Sequence, residues 1–169
     1  MPYLYDLNAI QVYCDTNIYS RLFDDQTQPK IQEESNACLE IIQAIKTKRL
    51  SLLCSDILMF EVYNILDEEK RAKVENYLNL SSKHIDSSET ILKLGKRFES
   101  QCQIRARDAL HVASAVIGEA RYFLSCDKKV TLMKQAKCYR RLVKSERESY
   151  FSVMNPILFI EKMKKGELE

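Results

Sequence analysis

Short apolar runs alternate along this chain with longer stretches whose apolar residues return every three or four positions. Residues 10–14, Ile-Gln-Val-Tyr-Cys, and 50–54, Leu-Ser-Leu-Leu-Cys, read as buried strands. Residues 122–125, Tyr-Phe-Leu-Ser, form a further strand, and 83–86 and 149–153 give two short ones. Between them the helical period takes over. A short helical stretch follows the first strand through Phe23, and residues 24–30 form a polar loop containing Pro29. From Ile31 to Lys48, Ala37, Cys38, Ile41, Ile42 and Ile45 make one apolar stripe. Ser55 caps a helix carrying Ile57, Leu58, Phe60, Val62, Ile65 and Leu66, and a more polar helix spans 68–78. Ser87 or Ser88 starts a helix running to about Cys102, and 106–118 is a compact, alanine-rich helix. A basic helix over 128–144 and a terminal helix over 156–164 complete the pattern.

Strands that are continuously apolar are covered on both faces, and their alternation with helices predicts a parallel sheet of the α/β class. Only three glycines and three prolines occur among 169 residues, which favours helices joined by short loops. No repeat or linker divides the chain, so residues 1–169 read as a single domain.

Composition narrows the classes. With 46% hydrophobic and 30% charged residues the chain is that of a folded globular protein. A net charge of +2 gives no bulk attraction to nucleic acid, so any basic surface is local. The densest positive stretch is Lys128, Lys129, Lys134, Lys137, Arg140, Arg141, Lys144 and Arg147. No apolar run approaches the roughly 18 residues of a membrane span, and residues 1–6 lack the marks of a signal peptide. The expectation is a cytoplasmic protein without a membrane partner. Its six cysteines show neither a C-x-x-C pair nor a Cys/His cluster. They read as reduced, buried apolar side chains.

Four acids then stand out. Asp15 and Asp127 each end an apolar run, while Glu61 and Asp108 interrupt apolar helical patterns. A buried carboxylate without a partner neutralises or finds a cation, and no Lys or Arg is equally placed. Ligands of open parallel sheets bind beyond the carboxyl ends of the strands, where Asp15 and Asp127 lie. If the first and fourth strands are neighbours, the acids converge. An all-oxygen set suits Mg²⁺ or Mn²⁺, and no Cys or His joins it to favour zinc. Such a site lowers the pKa of water and directs it at phosphorus. Asp15, Asp108 and Asp127 form the cage; Glu61 is a ligand through water or orients the nucleophile. Thr16, Asn17 and Ser125 lie beside the acids, placed to bond the carboxylates or a phosphate.

Each acid also has a purely structural reading. Asp15 and Asp127 can cap helices, Asp108 can pair with Arg105, and Glu61 can face solvent. His111 reads as a packed, hydrogen-bonded helix residue. The Asp-x-Asp of aspartyl-phosphate hydrolases fails at Asn17, and the acidic pair of receiver domains fails at Cys14.

Taken together, Val12-Tyr13-Cys14-Asp15-Thr16-Asn17, Glu61 in a helix opening with Ser55, the run from Asp108 through Ala109-Leu110-His111 to Ala115, and Leu124-Ser125-Cys126-Asp127 resemble the PIN (PilT N-terminus) domain. Val153-Met154-Asn155-Pro156 is similar to a common ending of that family. The resemblance covers nearly the whole chain. It implies a three-layer α/β/α sandwich with a mostly parallel sheet, and an Mg²⁺- or Mn²⁺-dependent endoribonuclease acting on RNA. Asp15, Glu61, Asp108 and Asp127 match the acidic set, and Ser125 the family's hydroxyl position. Many small members resemble virulence-associated protein C toxins, often homodimers held inactive by an antitoxin protein. A module that binds RNA or protein without cutting is the alternative.

Overall fold

The computed structural model describes residues 9–169; the segment read above for a targeting signal lies outside them. Strand β1 (Ile10–Cys14) leads into α1 (Thr16–Ser20), a 3-10 turn (Arg21–Phe23) and the long helix α2 (Pro29–Lys46). Next come β2 (Leu50–Ser55), α3 (Asp56–Tyr63), α4 (Glu68–Leu78) and β3 (Lys83–Ile85). Helices α5 (Glu89–Cys102) and α6 (Ala106–Ile117) precede β4 (Tyr122–Leu124). The chain ends with α7 (Lys128–Thr131), α8 (Met133–Val143), β5 (Ser152–Met154) and α9 (Pro156–Lys164).

Among the described residues the five strands form one parallel sheet in the order β3-β2-β1-β4-β5. Val12, Tyr13 and Cys14 are fully buried, as are the residues of β4, so both faces of the sheet are covered. Helix α2 packs with α9, and α5, α6 and α8 pack together, giving the α/β/α sandwich. Gly95 lets α5 approach α6 closely: a Cβ there would lie 3.1 Å from Leu110 Cδ2. From β1 the chain winds outward to β2 and β3, then returns across the sheet to β4. The order therefore reverses between β1 and β4, whose register pairs Tyr13 with Phe123.

Several local expectations shift. Helix α2 starts at Pro29, inside the predicted loop, because proline's fixed φ and missing N–H suit a first helical position. The basic helix breaks at Leu132, and Tyr139 OH donates to the freed Val130 carbonyl at 3.0 Å. Strand β5 begins at Ser152 rather than 149, since β4 offers its first register partner only at Tyr122.

The cysteine expectation is corrected. Cys102 at the end of α5 is joined to Cys138 of α8 by a disulfide, while Cys14, Cys38, Cys54 and Cys126 are buried free thiols. The two helices lie side by side, a juxtaposition that residue spacing does not reveal.

Candidate metal centre and active site

Parallel pairing of β1 and β4 ends with the Asp15 amide donating to the Leu124 carbonyl at 2.9 Å. Both chains then turn, and their polar residues interlock. Asn17 Oδ1 accepts from the Cys126 amide at 2.9 Å, and Asn17 Nδ2 donates to Ser125 Oγ at 3.0 Å. Ser125 Oγ donates to Asp15 Oδ2 at 2.9 Å and accepts from the Asp127 amide at 3.1 Å. Asp15 Oδ1 also accepts from the Thr16 amide at 2.8 Å, so this residue caps α1 while facing the site. Asp127 caps α7 in the same way, through Lys129 N at 2.9 Å.

A hollow of about 420 Å³ opens over this junction, lined by Asp15, Thr16, Asn17, Ser20, Glu61, Arg105, Arg107, Asp108 and Asp127. The four acids come from the ends of β1 and β4 and from α3 and α6, and the fold brings them to one place. Thr16, Asn17 and Ser125 are gathered with them, but their polar atoms are directed largely at the carboxylates and at each other.

A histidine and two arginines join the acids at the site. His111 is only 1% exposed, and its Nε2 lies 2.5 Å from Glu61 Oε1 and 4.0 Å from Asp15 Oδ1. Its Nδ1 meets Tyr13 OH at 2.7 Å, which in turn meets Ser55 Oγ at 2.6 Å. A chain of hydrogen bonds thus runs from the cap of α3 through the core to the Glu61 carboxylate. His111 is the packed, hydrogen-bonded helix residue expected, yet it sits against the acids: atoms of Asp15, Glu61 and His111 lie within 4.8 Å of one another. The signal was the i, i+3 spacing of Asp108 and His111, which sets both on one side of α6.

The expectation that no basic partner matches the acids is also corrected. Arg105, at the cap position of α6, donates from Nε to Asp108 Oδ2 at 2.9 Å and from Nη2 to Asp127 Oδ2 at 3.0 Å. Arg107 Nε stands 3.9 Å from Glu61 Oε1.

The surroundings push these groups apart in acidity. Burial raises the Asp15 pKa above the usual carboxylate value, against the lowering effects of His111 and the Ser125 hydrogen bond. Burial pulls Glu61 the same way, but the His111 hydrogen bond and charge, with Thr16 Oγ1 at 2.6 Å, hold it below its usual value. His111 is the complement: burial opposes its charge, and the bond to Glu61 and the field of Asp15 outweigh that and raise it.

The donor set fits a divalent cation. Four carboxylates around one hollow supply hard oxygen ligands, as Mg²⁺ and Mn²⁺ prefer. Both His111 nitrogens are already engaged by Tyr13 and Glu61, which leaves the oxygens as ligands.

The predicted basic stretch does not form one face. Lys128 and Lys129 are exposed beside Asp127, whereas Lys134, Lys137 and Arg141 line a separate hollow at the disulfide. Arg147 turns inward to the carbonyls of Val116, Ala120 and Tyr150, a structural role. Among the described residues no helix is long and apolar enough to cross a membrane.

Comparison with known proteins agrees with this architecture. No curated protein matches the chain. Among solved structures it is similar to the crystal structure of VapBC2 from Rickettsia felis bound to a DNA fragment from their promoter. The identity is 13% and the TM-score 0.50, over 86% of this chain and 98% of that one. At that identity the likeness shows the fold. The sequence profile of the PIN domain matches residues 12–136, more than half of the chain. The chain belongs to the PIN domain family.

Proposed function

We propose that this protein is a divalent-metal-dependent endoribonuclease that hydrolyses RNA phosphodiester bonds. One observation carries the reading: carboxylates from four separate elements meet in a single hollow at the point where strand order reverses. Asp15, Asp108 and Asp127 hold the cation, with Glu61 as a further ligand or as the group that orients the attacking water. Bound there, Mg²⁺ or Mn²⁺ supplies water activation and neutralises charge building on the phosphate. The chain's own residues do the positioning. Ser125 and Asn17 fix the Asp15 carboxylate, and Thr16 and His111 fix that of Glu61. The exposed Lys128 and Lys129 beside Asp127 are suited to flanking phosphates.

The reading extends to a toxin controlled by an antitoxin protein in the cytoplasm. Phe60, Tyr63 and Leu66 recur three positions apart beside Glu61, and Leu66 is 95% exposed. Three large apolar side chains left in water on and just after α3, the helix that carries Glu61, suit a protein partner or a second copy of the chain. The likeness to VapBC2 supports this choice. A second reading, a PIN module that binds without cutting, rests on Arg105, which already compensates Asp108 and Asp127.

Asp15→Asn separates the two. Loss of one ligand removes several kcal/mol of transition-state stabilisation, so cleavage of labelled RNA in Mn²⁺ drops about a hundredfold or more. The metal-free variant melts no lower than the parent, because burial of the Asp15 charge is that residue's main cost. Equal cleavage by parent and variant would assign the activity to a contaminant.

A further inference from the structure

Arg105 bridges two of the acids of the site. One guanidinium spans two carboxylates, one 3 and one 22 positions further along the chain, on α6 and following β4, and both bonds go to Oδ2 atoms of acids that line the hollow. Its side chain is nevertheless 68% exposed. The backbone on either side is anchored: Ile104 is buried, and the Arg105 carbonyl accepts from the Ala109 amide at 2.9 Å. The guanidinium can therefore leave the acids by side-chain rotation alone, with α6 undisturbed.

A guanidinium and a divalent cation cannot comfortably share the same pair of carboxylates, because the two positive charges repel at contact distance. The planar fork that matches Asp108 and Asp127 matches a phosphate equally well. We propose that Arg105 is an exchangeable cation of this site. It holds Asp108 and Asp127 in place while no divalent ion is bound, releases them when one binds, and then contacts a phosphate of the RNA backbone. This rests on the divalent-metal nuclease reading and adds to it a positioning residue with two alternating partners. Arg107, on the same rim and 3.9 Å from Glu61, does not bridge two acids and is not assigned this exchange.

Three proteins test it: the parent, Arg105→Ala and Arg105→Lys, each checked for an unchanged circular dichroism spectrum. Calorimetric titration with Mn²⁺, without RNA, reads the first half. Removing a competitor whose own side chain is largely exposed, and whose two ion pairs are therefore weak, tightens Mn²⁺ binding by about twofold to thirtyfold in Arg105→Ala. The second half is read from the salt dependence of KM for single-stranded RNA. Its logarithmic slope falls by about 0.7 in Arg105→Ala and is restored in Arg105→Lys, which keeps the charge. Mn²⁺ affinity that is unchanged or weaker in Arg105→Ala overturns the exchange. An unaltered salt slope overturns the phosphate contact. Failure of the parent itself to bind Mn²⁺ overturns the metal-nuclease reading, and this inference with it.

Discussion

Reducing the Cys102–Cys138 bond acts first on the unfolded chain. The cross-link closes a separation of 36 residues between α5 and α8. Chain-entropy arithmetic for a loop of that size gives about 4 kcal/mol of stabilisation at room temperature. In a protein of this length that corresponds to a drop in melting temperature of roughly 8–16 °C. The folded state has other ties between the same helices. Phe98 and Tyr139 meet edge to face at 5.8 Å, and Arg97 donates to Glu146 at 2.8 Å beyond the end of α8. Helix α8 is therefore expected to stay docked after reduction, with unchanged secondary structure. The assay is thermal unfolding of the parent with and without a thiol-free reductant, alongside a Cys102→Ser, Cys138→Ser double variant. Thiol titration in denaturant accompanies it and should count four free thiols before reduction. Counting six thiols in the untreated protein, or a melting temperature that ignores the reductant, would refute the reasoning.

His111→Phe keeps an aromatic ring at α6 but strips Glu61 of a charge-assisted hydrogen bond; a stability loss of at least about 1.5–3 kcal/mol is expected by urea unfolding near pH 6. The same contact sets a pH dependence in chelator. Because the folded His111 pKa is raised above 6.5, its contribution is full below that value and fades as pH climbs through the folded one. Glu61, lowered from 4.5, contributes above that value and loses its contribution as pH falls through the folded one. The parent's melting temperature should thus fall more steeply than that of His111→Phe as pH rises above 6.5 through the folded His111 value; parallel curves would exclude the pair. At the end of α6, a Cβ on Gly118 would run into the Ile85 side chain, so Gly118→Ala should cost about 1–3 kcal/mol in the same unfolding assay. Phe60→Ser with Leu66→Ser should leave RNA cleavage intact while weakening binding to the protein partner of the proposed pair, measured by co-purification; unchanged binding moves the partner surface elsewhere.

Much of this architecture is local and therefore written in the chain itself. The apolar runs at 10–14 and 50–54 are too short for buried helices and suit strands of a sheet covered on both faces. Ser88 starts α5 because its hydroxyl accepts from the Ile91 amide. The placement of Asp15 and Asp127 just past strand ends was equally legible. Which strands lie side by side was not, because the pairing of Val12 with Tyr122 is chosen by packing across more than a hundred residues. Arg105 and His111 flank Asp108 at helical spacing, yet only the folded sheet brings Asp127 under one and Glu61 against the other. Cys102 and Cys138 illustrate the same division: each helix was evident from its periodicity, but their contact depends on how α5 and α8 pack. Periodicity follows from backbone geometry within a few residues, whereas charge partners are set by distances that exist only once the sheet has closed the chain on itself.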